Sequence, residues 1–292
     1  MHEWTFWQRI KNHIIYCTVK ALLFLAGRLP RFMTGAAAIF IGHSAYLIAG
    51  RERRTALSNI EKSSLEIFSD PRRIVKKMFV HLALSALDLA RIRALGPPPE
   101  VVLYDEAKRA LEQALGRGRG VVFITGHIGN WEIMARHLAG LGYPISTVAS
   151  ESYDPRFTRM IDEFRKSGGV ETIFRSSPGS ATAMLRALKR GGVLGFLIDQ
   201  NTRVPSVSVP FLGRKAPAPV GPAEIALRTG AAVVIGTIRR TGPHSHAIDI
   251  EPVQVSDEDN PESLTALFSH SLSQRIKSAP EQWVWMHERW ND

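Results

Sequence analysis

One cysteine, Cys17, stands among 292 residues. An internal disulfide is thereby excluded, and the count fits a reducing compartment. Cys17 sits in an apolar N-terminal segment, far in sequence from any histidine–acid group, so cysteine nucleophilic catalysis is not expected. A Gly-x-Ser-x-Gly nucleophile elbow is also missing. Ser44 comes nearest and fails because Tyr46 occupies the last position. His244-x-His246 is the only close histidine pair, and no neighbouring block supplies matching ligands, so no metal site is expected. The chain carries no internal repeat and no low-complexity tract. It has neither a zinc-finger nor an RNP-like nor a compact basic-helix motif, so its net charge of +10 does not point to nucleic acid. Gly116-Arg-Gly-Arg-Gly120 precedes a strand rather than linking strand to helix, the wrong order for a phosphate loop, and reads as a turn.

What is present is apolar and unevenly charged. With 45% apolar residues the chain can bury a sizeable core. Residues 1–54 hold eight Lys/Arg against two acids, and residues 257–292 hold three against seven. A basic end joined to apolar segments suits an anionic membrane surface or acidic substrates. Residues 14–26 are apolar but interrupted by Lys20, with no small-residue cleavage site before Arg28-Leu-Pro-Arg31. A helix over 33–49 would reach about 25 Å, short of the roughly 30 Å hydrocarbon layer. Residues 1–50 are therefore expected to form apolar membrane-associating helices, lying in one membrane face or spanning it once.

Two further helices, over 51–68 and 71–95, form a helical lead-in that ends at Gly96-Pro-Pro-Pro99. Beyond it helices and strands alternate. Helices are predicted over 105–115, 130–141, 155–167, 179–190, 220–229 and 261–278. Strands are predicted over 120–125, 145–149, 170–174, 193–198, 207–210 and 231–238, the last pairing with 246–253. This pattern predicts an α/β domain over 97–292, with a central mixed, largely parallel sheet flanked by helices.

Val121-Val-Phe-Ile-Thr-Gly-His-Ile-Gly-Asn-Trp-Glu132 carries the chemistry. A histidine followed five residues later by an acid occurs four times: His127/Glu132, His244/Asp249, His246/Glu251 and His287/Asp292. Only His127 has a strand before it, a helix after it and glycines on both sides that admit a substrate. Asn130 is placed to cap the helix, and Glu132 lies where the macrodipole favours a carboxylate. The turn can bring the imidazole against Glu132, leaving its other nitrogen as a base. That is the orienting half of a triad without its serine, so the attacking hydroxyl should belong to the substrate.

The block Thr125–Glu132 resembles the first motif of the bacterial lipid A biosynthesis (late) acyltransferases, within the lysophospholipid-acyltransferase superfamily. The likeness continues in order through Leu197-Ile-Asp-Gln200, Val209-Pro-Phe-Leu-Gly213, Ala226-Leu-Arg-Thr-Gly-Ala231 and Pro280–Arg289. It departs at Asn201, where the family has aspartate, and near Pro219, where a threonine is usual. The resemblance implies direct O-acyl transfer, with no covalent acyl-enzyme and no tightly bound cofactor. The donor would be acyl carrier protein or coenzyme A, and the acceptor an anionic glycolipid at the cytoplasmic face of the bacterial inner membrane. His127 would be the general base and Glu132 its orienting acid. Arg165 and Asp199 match the family's substrate-site residues and would contact substrate. From the residues themselves, amides near Gly129, Asn130 and Trp131 are candidates to hold the oxyanion, and Arg239 and Arg240, just past a strand, are placed either to meet a substrate phosphate or as surface cations. Trp283, Trp285 and Trp290 read as core. A phosphatidylinositol mannoside or lysophospholipid acceptor, or a thioesterase-like hydrolase, are the alternatives.

Overall fold

The computed structural model describes residues 4–63, 70–94, 96–201 and 203–290. A seven-stranded sheet, ordered β1-β9-β8-β2-β5-β3-β4, forms the centre. Its strands are β1 (Glu100–Leu103), β2 (Val121–Thr125), β3 (Ile145–Ala149), β4 (Glu171–Phe174), β5 (Val193–Leu197), β8 (Ala232–Gly242) and β9 (Ser245–Val253). Neighbours pair in parallel throughout except β8 with β9, so the sheet is mixed and largely parallel, as the alternation predicts. Every residue of β2 is buried, because helices cover both sheet faces and leave a parallel strand no solvated side.

One face packs on α5 (Asp105–Gly116) and α6 (Trp131–Gly140). The other packs on α8 (Ser180–Lys189), α9 (Gly221–Thr229) and α10 (Pro261–Ser278). α7 (Pro155–Ser167) connects β3 to β4. Local chemistry sets several helix starts. Asp70, Asp154 and Asn260 each precede a proline at the first helical position and accept an amide hydrogen bond there. Two strands went unforeseen: β1, which joins the edge of the sheet beside β9, and β7 (Arg214–Pro219), which pairs with the expected strand β6 (Ser206–Phe211) in a separate hairpin. The turn between β6 and β7 puts Leu212 at φ 48° and Gly213 at φ 84°, a reversal that apolar patterning does not reveal.

Ahead of the sheet lie α1 (Phe6–Ala26), α2 (Arg31–Ile48), α3 (Gly50–Lys62) and α4 (Pro71–Arg93). Of the helix predicted over 51–68, residues 64–68 lie outside the described residues. α2 rests on α4 through the small residues Thr34, Ala38 and Gly42, one turn apart. A Cβ on Gly42 would sit 2.6 Å from Val80 Cα, so only glycine permits the approach. The outer faces are apolar and bare: Trp7 is 76% exposed, Phe32 86%, Phe40 73% and Ile48 84%. Among the described residues no single helix is long and apolar enough to cross a membrane. α2 and α3 together reach that length only with a 90° bend between them.

Candidate active site

Adjacent parallel strands in register bring together residues that follow their ends. Thr125 of β2 pairs with Leu197 of β5, and the Ile198 amide donates to Thr125 O at 3.2 Å, extending the ladder. Two residues past each strand stand His127 and Asp199. The Asp199 carboxylate is fully buried and accepts three hydrogen bonds. The His127 amide donates to its Oδ2 at 2.7 Å, Trp283 Nε1 donates to the same oxygen at 2.6 Å, and Oδ1 lies 2.8 Å from His127 Nδ1. Burial pushes the Asp199 pKa up, but the charge of His127 and these hydrogen bonds outweigh it and hold the group below the usual carboxylate range. An ionised carboxylate only accepts, so Nδ1 carries a proton, and in the neutral imidazole Nε2 is the nitrogen left with a lone pair. Gly126 makes room for this: a Cβ there would stand 2.9 Å from Asp199 Cγ.

Two expectations are thereby corrected. The carboxylate that orients His127 is Asp199, not Glu132, and Asp199, wholly enclosed, has no surface to offer a substrate. Glu132 instead takes two hydrogen bonds from Arg165, Nη2 to Oε1 at 2.6 Å and Nε to Oε2 at 2.9 Å. Burial opposes the Arg165 charge, and the bonds to Glu132 more than restore it, raising its pKa. The pair ties the first turn of α6 to the last turn of α7. Arg165 therefore spends Nε and Nη2 on the protein, and among the described residues only Nη1 is without a partner.

The glycine and asparagine of the motif are structural first. Gly129 adopts φ 66°, and a Cβ would lie 1.8 Å from Ile238 O. Its amide donates to Gln282 O at 2.9 Å, so this N–H is not available to an oxyanion. Asn130 caps α6, as its position predicts: Oδ1 accepts from the Ile133 amide at 3.4 Å, while Nδ2 donates to Ser85 O at 3.2 Å. The amides of Trp131 and Glu132, in the first helical turn, have no intrahelical partner.

A second tier braces this loop. Gln282 accepts from the Arg240 amide at 2.7 Å and donates to Arg240 O at 3.0 Å, while its own carbonyl holds Gly129. His81 on α4 is buried in this tier, its Nε2 3.5 Å from Ser85 Oγ. Burial first, then the Arg240 charge, lowers its pKa to about 4. Asp88, also on α4, binds Arg240 and lies 3.2 Å from His246 Nε2. His244 turns the other way, to Arg31 O at 3.2 Å, so the two histidines point to different partners. Half-buried His287 lies close enough to feel the His127 charge; burial and that charge lower its pKa.

His127 opens on a cavity of about 420 Å³. Trp131 stands edge-on to it with ring centroids 4.7 Å apart, and Met184, Phe196, Ile198 and Ile225 make much of the wall apolar. Two guanidiniums line it, Arg165 and Arg175. Arg175, which sequence reasoning missed, is exposed and has no ion pair among the described residues. Its only sequence signal is its place just past β4, on the same sheet edge as His127. Arg239 is exposed and does not line the cavity. It alternates with inward-facing Arg240 along β8, and only its backbone, behind Gly129, approaches the loop. Trp283, Trp285 and Trp290 are core residues, at 2%, 0% and 5% exposure, with Trp283 doubling as the Asp199 donor.

The model of the family described as bacterial lipid A biosynthesis acyltransferase matches residues 7–292. The chain is 24% identical over 182 residues to the phosphatidylinositol mannoside acyltransferase of Mycobacterium tuberculosis (strain H37Rv), covering 62% of this chain and 57% of that protein. It is 24% identical over 209 residues to the phosphatidylinositol mannoside acyltransferase of Mycolicibacterium smegmatis, covering 71% and 66%. Each match thus spans less than two thirds of the relative's length. With the family model matching nearly end to end, the chain belongs to the bacterial lipid A biosynthesis acyltransferase family.

Proposed function

We propose that this protein transfers a fatty acyl chain from an acyl thioester, on acyl carrier protein or coenzyme A, directly to a hydroxyl of an anionic membrane glycolipid. The observation that carries this reading is the His127–Asp199 dyad, whose free Nε2 belongs to a histidine lining a largely apolar cavity. Nε2 takes the proton of the acceptor hydroxyl as its oxygen attacks the thioester carbonyl. Asp199 stabilises the imidazolium. The tetrahedral oxyanion collapses, the C–S bond breaks, and the thiolate leaves with the proton returned by His127. The unpartnered first-turn amides of Trp131 and Glu132, at the positive end of α6, are the donors available to that oxyanion.

Arg175 and the spare Nη1 of Arg165 suit a phosphate on the acceptor, while the apolar wall suits the acyl chain. A phosphatidylinositol mannoside acceptor is the second reading, and the names of the relatives favour it. The bare apolar sides of α1 and α2 support work at a membrane surface, which we place at the cytoplasmic face of the bacterial inner membrane. The test supplies labelled acyl donor with a lipid A precursor, with a phosphatidylinositol mannoside, and with neither. Label on one glycolipid, lost in His127→Ala, supports the proposal and picks the acceptor. Equal release of free fatty acid with and without acceptor would instead make the protein a hydrolase.

A further inference from the structure

We propose that a second cavity, of about 500 Å³ between α1, α4 and α7, binds the phosphodiester headgroup of an acidic membrane phospholipid. It shares no lining residue with the cavity at His127. Five cations line it, Lys20, Arg28, Arg93, Arg156 and Arg159, against one carboxylate, Glu163. Glu163 is taken by Arg93 at 3.7 Å, and Arg156 is taken by Asp154 at 2.6 Å. Arg28 lies over the Phe24 ring, 3.5 Å from its centroid, and bonds only a backbone carbonyl. Lys20 and Arg159 have neither a carboxylate nor any hydrogen-bond partner among the described residues. Three cations thus face one concavity with no anion to answer them, a strong local excess for a phosphate.

The rim decides which phosphate. Phe24, a wall of the cavity, is 57% exposed, and its neighbours Leu22 and Leu25 are 59% and 61% exposed. A headgroup seated among the cations leaves its acyl chains running along this bare apolar side of α1. Tyr16 forms another wall and, like Trp4, lies against Arg156, the amphipathic aromatics that favour a membrane–water boundary. An acidic carrier protein would offer rigid helices to a concavity and leave these apolar side chains in water. A phospholipid satisfies both halves.

The inference rests on the membrane-surface reading above, and the experiment separates the two. The full chain is sedimented with vesicles of phosphatidylcholine alone and with phosphatidylglycerol added. Binding to both, tighter with phosphatidylglycerol, is expected. Lys20→Gln/Arg159→Gln should lose the phosphatidylglycerol increment by about 25–30-fold, at roughly fivefold per cation. Its phosphatidylcholine binding, thermal stability and activity in detergent should stay unchanged. Arg186→Gln/Lys189→Gln, removing the same charge from exposed positions on α8, should stay within about twofold. Equal loss in both double variants makes the effect diffuse charge and overturns the site, as does an unchanged increment. Weaker capture of purified acyl carrier protein with vesicle binding intact assigns the cavity to that partner instead. Displacement of the vesicles by inorganic phosphate alone also overturns the lipid assignment. Failure of the wild type to bind either vesicle overturns the membrane reading itself.

Discussion

Replacing Asp199 with asparagine should disable the base while barely changing shape. The two carboxylate oxygens do different jobs. Oδ2 receives two donors fixed by the fold, the His127 amide at 2.7 Å and Trp283 Nε1 at 2.6 Å, whereas Oδ1 receives only the ring nitrogen at 2.8 Å. An asparagine must keep its carbonyl oxygen at the doubly bonded position, since an NH2 there would face two donors. The NH2 then falls opposite Nδ1 and donates to it, forcing the imidazole into the tautomer with hydrogen on Nε2. The lone pair that should accept the hydroxyl proton is gone. Positioned general-base help is worth roughly 10²–10⁴ in rate, or about 3–5 kcal/mol of barrier, so kcat at saturating acceptor should fall by about that factor. KM should change little, because Asp199 does not face the cavity. The assay is initial-rate acyl transfer by Asp199→Asn, with matched thermal melts to show a folded enzyme. A folded variant within about threefold of wild-type kcat would refute the tautomer argument.

Glu132→Gln leaves Arg165 without its counter-charge; this half-buried pair should cost about 1–3 kcal/mol when broken from one side, so urea denaturation should show the loss, with His127→Ala lowering kcat far more than it lowers stability. Gly129→Ala combines φ 66° with a Cβ 1.8 Å from Ile238 O and should cost about 3 kcal/mol or more, read as a lost or strongly lowered melting transition; a normal melt would mean the loop is not held as described. His81 titrates near 6.5 unfolded and at about 4 folded, so the unfolded chain binds a proton that the folded one refuses. Stability should therefore fall as pH drops below about 6.5, by about 2 kcal/mol at about pH 5, and level off below the folded value. Urea midpoints across that range should lose most of this slope in His81→Gln; an identical slope would remove His81 from the explanation.

Most of the scaffold was readable because helix and strand periods differ and the glycines and prolines sit at their borders. The strand-loop-helix around His127, the cap at Asn130 and the β8–β9 pair followed from local pattern alone. What local pattern lacks is strand order. His127 and Asp199 are 72 residues apart, and they meet only because β5 lies beside β2 with Thr125 opposite Leu197. Glu132, five residues from His127, looked like the natural partner, but the helix that begins at Trp131 carries its carboxylate away to Arg165. The roles of Gln282 and Trp283 at the site were not legible for the same reason. Both residues reach the site from the far end of the chain, where Trp283 bridges to Ile128 and the Gln282 carbonyl occupies the Gly129 amide. β1 was missed because four residues alternating between exposed and half-buried at a sheet edge carry little apolar signal.

The central claim is direct transfer to a lipid hydroxyl by a histidine base, and single-turnover chase of an isotopically labelled acyl thioester addresses it most directly. With the matching glycolipid present, label should pass to an ester on that lipid with no protein-bound adduct at any time, and His127→Ala should leave the label on the donor. Label trapped covalently on the protein, or transfer at undiminished rate by folded His127→Ala, would contradict the account.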